Sequence, residues 1–129
     1  MKWYRIVASL VCADSNGVNA ACGYRFNLPL DGNMQLLEKD WQQSSRPYKV
    51  TRFWIDEPDL EGELVLHMRN SWLIKYDRSV KPDATVQLGE EVMSSGELLS
   101  IRDHADATHE FKITSIDEVR WFPTAETGG

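Results

Sequence analysis

The sequence predicts a single β-rich α+β domain: a twisted antiparallel sheet or partial β-barrel of short strands, with one helix near residues 33–44. Three observations carry this reading. Turn signals recur at Asn16-Gly17, Asp31-Gly32, Asn70-Ser71 and Ser94-Ser95-Gly96, residues that tolerate the positive φ of tight turns. Between them apolar and polar residues alternate, the period of a half-buried strand. Only one segment breaks into helical spacing. A chain of 129 residues is most simply one domain, with 1–123 as the folded body and 124–129 as a small polar tail.

The first strand is expected over 3–12, where Trp3, Tyr4, Ile6, Val7, Leu10 and Val11 are good β-formers. Arg5 interrupts the run, so it reads as a strand rather than a targeting segment. The second strand, 22–30, puts Cys22, Tyr24, Phe26, Leu28 and Leu30 on one face. A three-residue turn ending at Gly17 would pair Leu10 with Cys22, Ala8 with Tyr24 and Ile6 with Phe26, uniting two apolar faces. Cys12 and Cys22 would then lie diagonally, roughly 7–8 Å apart, too far for a disulfide. Both read as reduced thiols in a cytoplasmic protein.

Met34, Leu37 and Trp41 follow the i, i+3, i+7 spacing of a helix face. Asp31 or Asn33 could cap its start, and Arg46-Pro47 would end it. Residues 48–55 read as a third strand, apolar on both faces. An acidic loop over 56–63 follows. A hairpin over 64–69 and 72–76 would pair Met68 with Trp72, Leu66 with Ile74 and Leu64 with Tyr76. Short strands are expected at 85–88 and 90–93. The last hairpin, 98–103 with 110–116, would set Leu99 and Ile101 against Ile113 and Phe111, and Trp121-Phe122 would close the core.

Charge narrows the function. The net charge is −6, and Lys and Arg are scattered, which disfavours direct nucleic-acid binding and favours a partner with a basic surface. There is no apolar run of about 18 residues, so no membrane span is expected. The leading expectation is a non-enzymatic protein-interaction module without a cofactor; a small acidic inhibitor, immunity or accessory protein, bacterial or viral, fits that size and charge. Trp54 and Trp72 would anchor the partner, because Trp is enriched at interface hot spots. Asp56, Glu57, Asp59, Glu61 and Glu63, five carboxylates in eight residues, would steer it. An unpaired sheet edge would also let two copies form a homodimer.

Two alternatives stand beside it. Asp103, His104, Asp106 and His109 mix imidazoles and carboxylates, the donors of divalent metal sites, and would make a metal-binding module or metal-dependent enzyme. The spacing is His-x4-His in a hairpin turn, so a solvated turn is the simpler reading. A third expectation is a small-molecule pocket inside a barrel, lined by Tyr24, Phe26 and tryptophans.

Overall fold

The structure is a computed structural model that describes residues 2–12, 17–77, 83–89 and 91–119. Its strands are β1 (Lys2–Val11), β2 (Val18–Leu30), β3 (Lys49–Trp54), β4 (Glu57–Met68), β5 (Ser71–Tyr76), β6 (Ala84–Gln87), β7 (Leu98–Arg102) and β8 (Thr108–Val119). Each strand pairs antiparallel with the next, and β8 returns to β1. The sheet is therefore a closed barrel of eight strands, not a partial one. Closure removes the free edges, so edge pairing of two copies loses its basis.

Among the described residues helical structure shrinks to α1 (Glu38–Gln43), six residues, and the α+β expectation is corrected to a mostly antiparallel β domain. The predicted helix fails at its start. Asp31 Oδ1 accepts from the Asn33 and Gln35 amides at 2.8 and 3.0 Å, and Met34 takes a φ of 61°. The side chain expected to cap a helix instead holds a tight turn. Gln35 then bridges to Val92.

Ile6 pairs with Phe26 and Ala8 with Tyr24, as the alternation predicts. Above Ser9 the register jumps, so Leu10 meets Asn19 rather than Cys22. Cys12 and Cys22 are both free thiols. The β4–β5 pairs are Leu66 with Trp72 and Leu64 with Ile74; β7–β8 pairs Leu99 with Phe111 and Ile101 with His109. Both differ from expectation by two residues. A shift of two keeps side chains on their faces, so the same apolar groups enter the core except Met68, which lies at an irregularity of β4 and is 60% exposed. The acidic 56–63 stretch is not a loop: β4 begins at Glu57, leaving only a tight turn in which Asp56 has a φ of 61°. Trp121, Phe122 and the 124–129 tail lie outside the described residues.

An eight-stranded barrel is just wide enough for side chains to fill. Here Tyr24 and Phe26 of β2, Trp72 and Ile74 of β5, and Phe111 and Ile113 of β8 fill it, all buried. Gly62 lets β4 approach β5 closely, since a Cβ there would stand 2.5 Å from the Lys75 carbonyl oxygen. The lower end, where β1 starts and β2 finishes, is plugged by aromatics. Tyr48 stacks on Trp72 at 6.2 Å, while Trp41 of α1 meets Trp72 edge-on at 6.1 Å. The Trp72 indole N–H donates to the Leu88 carbonyl at 3.2 Å, and Met93 N–H donates to Met34 O at 2.8 Å, tying two loops across this end. Among the described residues no helix is long and apolar enough to cross a membrane.

Candidate functional site: the upper mouth of the barrel

The opposite end carries the β3–β4 turn and the loop between β7 and β8. It is built differently. Arg52 follows Val50 in the inward register of β3, and only 4% of its surface is exposed. A buried guanidinium needs partners. One comes from a bulge. Arg52 pairs with Leu60 but Trp54 pairs with Glu57, so β4 has one residue extra there. The irregularity flips Glu57 to the inner side, and Arg52 Nη1 donates to Glu57 Oε1 at 3.1 Å.

Trp54 supplies the second contact. The Arg52 guanidinium lies 4.3 Å from the centre of its ring, within cation–π range. The same indole reaches Phe111 at 6.4 Å and His109 at 6.3 Å. Both belong to β8, which is no neighbour of β3 in the barrel. Trp54 therefore spans the mouth.

Beneath it, Tyr24 packs edge-on to Phe111 at 5.1 Å. The Tyr24 and Tyr76 phenols and the Arg52 guanidinium lie close enough to shift one another's ionisation. They do not align into hydrogen bonds: Tyr24 Oη, Tyr76 Oη and Arg52 Nε are all buried without a partner. Burial, the largest cause, pushes both phenols above the usual tyrosine range, and the Asp103 carboxylate acts in the same direction.

The loop over 103–107 frames the far side. Asp103 Oδ1 accepts from the Ala105 and Ala107 amides at 2.9 and 3.0 Å, an arrangement that folds the loop back on itself. Its Oδ2 lies 3.9 Å from His109 Nε2. His104 meets the Tyr76 ring at 6.3 Å. Asp106 turns away: its side chain is 86% exposed and lies 3.6 Å from Arg102 Nε. The four residues of the metal reading thus have separate duties. Among the described residues no three His, Cys, Asp or Glu side chains are grouped to hold a metal ion.

The residues expected to contact a partner are also divided. Trp72 is corrected: with 0% exposure it is core, not a surface anchor. Trp54 and Glu57 belong to the mouth. Asp59, Glu61 and Glu63 alternate outward on β4, and Asp56 stays exposed in the turn. The outer stripe is partly satisfied locally. Thr51 Oγ1 donates to Glu61 at 2.7 Å, and Glu63 sits opposite Lys49 and Lys75.

Sequence reasoning missed Arg52 and Tyr76 as site residues, and named Tyr24 only as a pocket wall. One signal was present: Arg52 lies between Val50 and Trp54 at two-residue spacing, an arginine in the inward phase of a strand. No protein-family model matches the chain, and neither a curated protein nor a solved structure resembles it significantly.

Proposed function

We propose that this chain is a non-enzymatic binding barrel that receives its ligand at the upper mouth, between Trp54, Arg52, Glu57, Tyr24, Tyr76 and the 103–110 loop. The observation that supports this most is the set of buried polar atoms left without partners: Arg52 Nε and the hydroxyls of Tyr24 and Tyr76. An unmet buried polar group costs roughly 1–3 kcal/mol. Tyr48 Oη and Asn27 Oδ1 are buried and unpartnered elsewhere. The two phenols and the guanidinium nitrogen, however, gather at one place, near enough to shift one another's ionisation, and that grouping supports a site completed by something from outside. Small eight-stranded barrels suit that use, since their mouths hold single small ligands.

The reading keeps the interaction role expected from the sequence and moves it from the outer acidic stripe to the mouth. Two of the expected contact residues, Trp54 and Glu57, remain in it. The test is a fragment mixture, spanning neutral, anionic and cationic members, followed by amide chemical shifts of labelled protein. Shifts confined to residues 52–57, 76 and 103–110 are expected. Shifts elsewhere, or none, would overturn the assignment.

A further inference from the structure

The unmet atoms also define the kind of group that would satisfy them. We infer that the upper mouth accepts an uncharged planar molecule through a carbonyl oxygen, an inference that rests on the binding reading above. The argument is a count of donors and acceptors. A guanidinium carries five N–H donors and no acceptor. Arg52 uses Nη1 on Glu57, while Nε stays unmet. Each phenol adds one donor. If one tyrosine donates to the other, a phenolic O–H and Nε–H still face inward with no acceptor. A donor surplus is completed by an acceptor, and a carbonyl oxygen supplies two lone pairs without adding a donor of its own, as a hydroxyl or amine would.

Charge selects among acceptors. Glu57 neutralises Arg52, and the Asp103 carboxylate lies near enough to act on both phenols. An added carboxylate or phosphate would meet two negative groups with one positive. A carbonyl oxygen supplies lone pairs without that repulsion. Shape points the same way. Trp54 and His109, both half-buried, border the mouth above the buried Phe111, so a flat ring has an aromatic surface to lie against while its carbonyl points toward the unmet donors. Aromatic faces favour offset or edge-on rings.

Three probes separate the outcomes: N-methyl-2-pyridone, planar and neutral with a carbonyl but no donor; benzoate, planar and anionic; and toluene, planar with no acceptor. Each is titrated into the full chain while mouth amide shifts and tryptophan fluorescence are read. N-methyl-2-pyridone is expected to bind at the mouth, with toluene weaker and benzoate weakest. Tyr24→Phe and Tyr76→Phe remove a donor each without changing ring volume, and each is expected to weaken N-methyl-2-pyridone by roughly threefold to tenfold while leaving toluene unchanged. Benzoate binding at the mouth as tightly as N-methyl-2-pyridone, or toluene matching it, would overturn the carbonyl inference and leave the mouth as the site. Binding of none of the three, with an ordered water on the two tyrosines in a crystal structure, would overturn the inference too. Fragment shifts that avoid the mouth altogether would instead remove the reading beneath it.

Discussion

Each end of the barrel stacks an arginine on a tryptophan, and the two stacks do opposite things. At the lower end Arg46 lies 4.0 Å from the Trp3 ring centre. Both residues are half-buried on the outer wall, beside a groove of about 280 Å³ that also meets Asn27, Pro47, Lys49 and Val119. The guanidinium there keeps access to water, and its stem covers apolar surface. Inside that end the core is closed by Trp72, whose indole N–H is satisfied by Leu88 O. At the upper end the stack is turned inward. Arg52 is buried on Trp54, and the polar atoms around it are only partly met. The lower end satisfies its indole yet leaves the Tyr48 hydroxyl and Asn27 Oδ1 apart and unpartnered; the upper end leaves two phenols and a guanidinium nitrogen together. In a small domain, unmet polar atoms gathered into one cluster mark where function is set against stability.

The contrast breaks most readily at Trp72. Replacing it with Ala opens the plug beneath Tyr48 and Trp41, and the expected loss is about 3–5 kcal/mol, read as a lower denaturant midpoint. A loss under about 1 kcal/mol would mean that the lower end does not hold the core. Glu57→Gln probes the other end. The carboxylate is half in water, with 48% of its side chain exposed, while its arginine is buried. The cost should fall between that of an exposed pair and that of a buried one, about 1–2 kcal/mol. No measurable change in unfolding would show that Arg52 does not depend on it.

The tyrosines sharpen the contrast with the smallest effect, invisible at neutral pH. Burial raises Tyr24 and Tyr76 at the upper end and Tyr48 at the lower end above the usual range. In the unfolded chain a phenol ionises near pH 10, approximately its reference value. A raised folded value means that the stability gained by staying neutral is complete below that pH and is lost as pH climbs through and above it. Stability should therefore decline above about pH 10. Tyrosinate absorbance from these three should appear only with unfolding. Tyr48→Phe should remove a smaller part of the decline than Tyr24→Phe with Tyr76→Phe. Tyrosinate signal from the folded protein near pH 10 would contradict the burial assigned to them.

Much of the fold was readable from the chain. Alternation located the strands, and parity kept the inward faces of β4, β5, β7 and β8 although the pairing differed by two residues, with Met68 lost to the surface at an irregularity of β4. Closure was not readable, because β1 with β8 is a contact between chain ends that no local pattern encodes. The 33–44 spacing yields only a short helix because Asp31 can serve either a helix cap or a turn, and here it holds a turn from which Gln35 bridges to Val92. The site was half legible. Trp54, Glu57, Asp103 and His109 stand out by type and grouping. Arg52 and Tyr76 look like ordinary strand residues until the barrel curls round and the β3–β4 bulge turns Glu57 toward Arg52. A bulge leaves no mark in an acidic stretch that already contains a proline.

The most direct measurement is the unfolding free energy of Arg52→Met set beside wild type, with N-methyl-2-pyridone titrated into both. Methionine fills similar volume, and Glu57 can turn to water. Removing one partner of an ion pair is costly when the other charge stays buried, but the Glu57 side chain is already 48% exposed and its charge can be solvated. The account predicts a midpoint equal to or above wild type together with loss of binding at the mouth. A variant destabilised by as much as Trp72→Ala, or one that binds as wild type does, would show that Arg52 is a structural strut and that the upper end is no site.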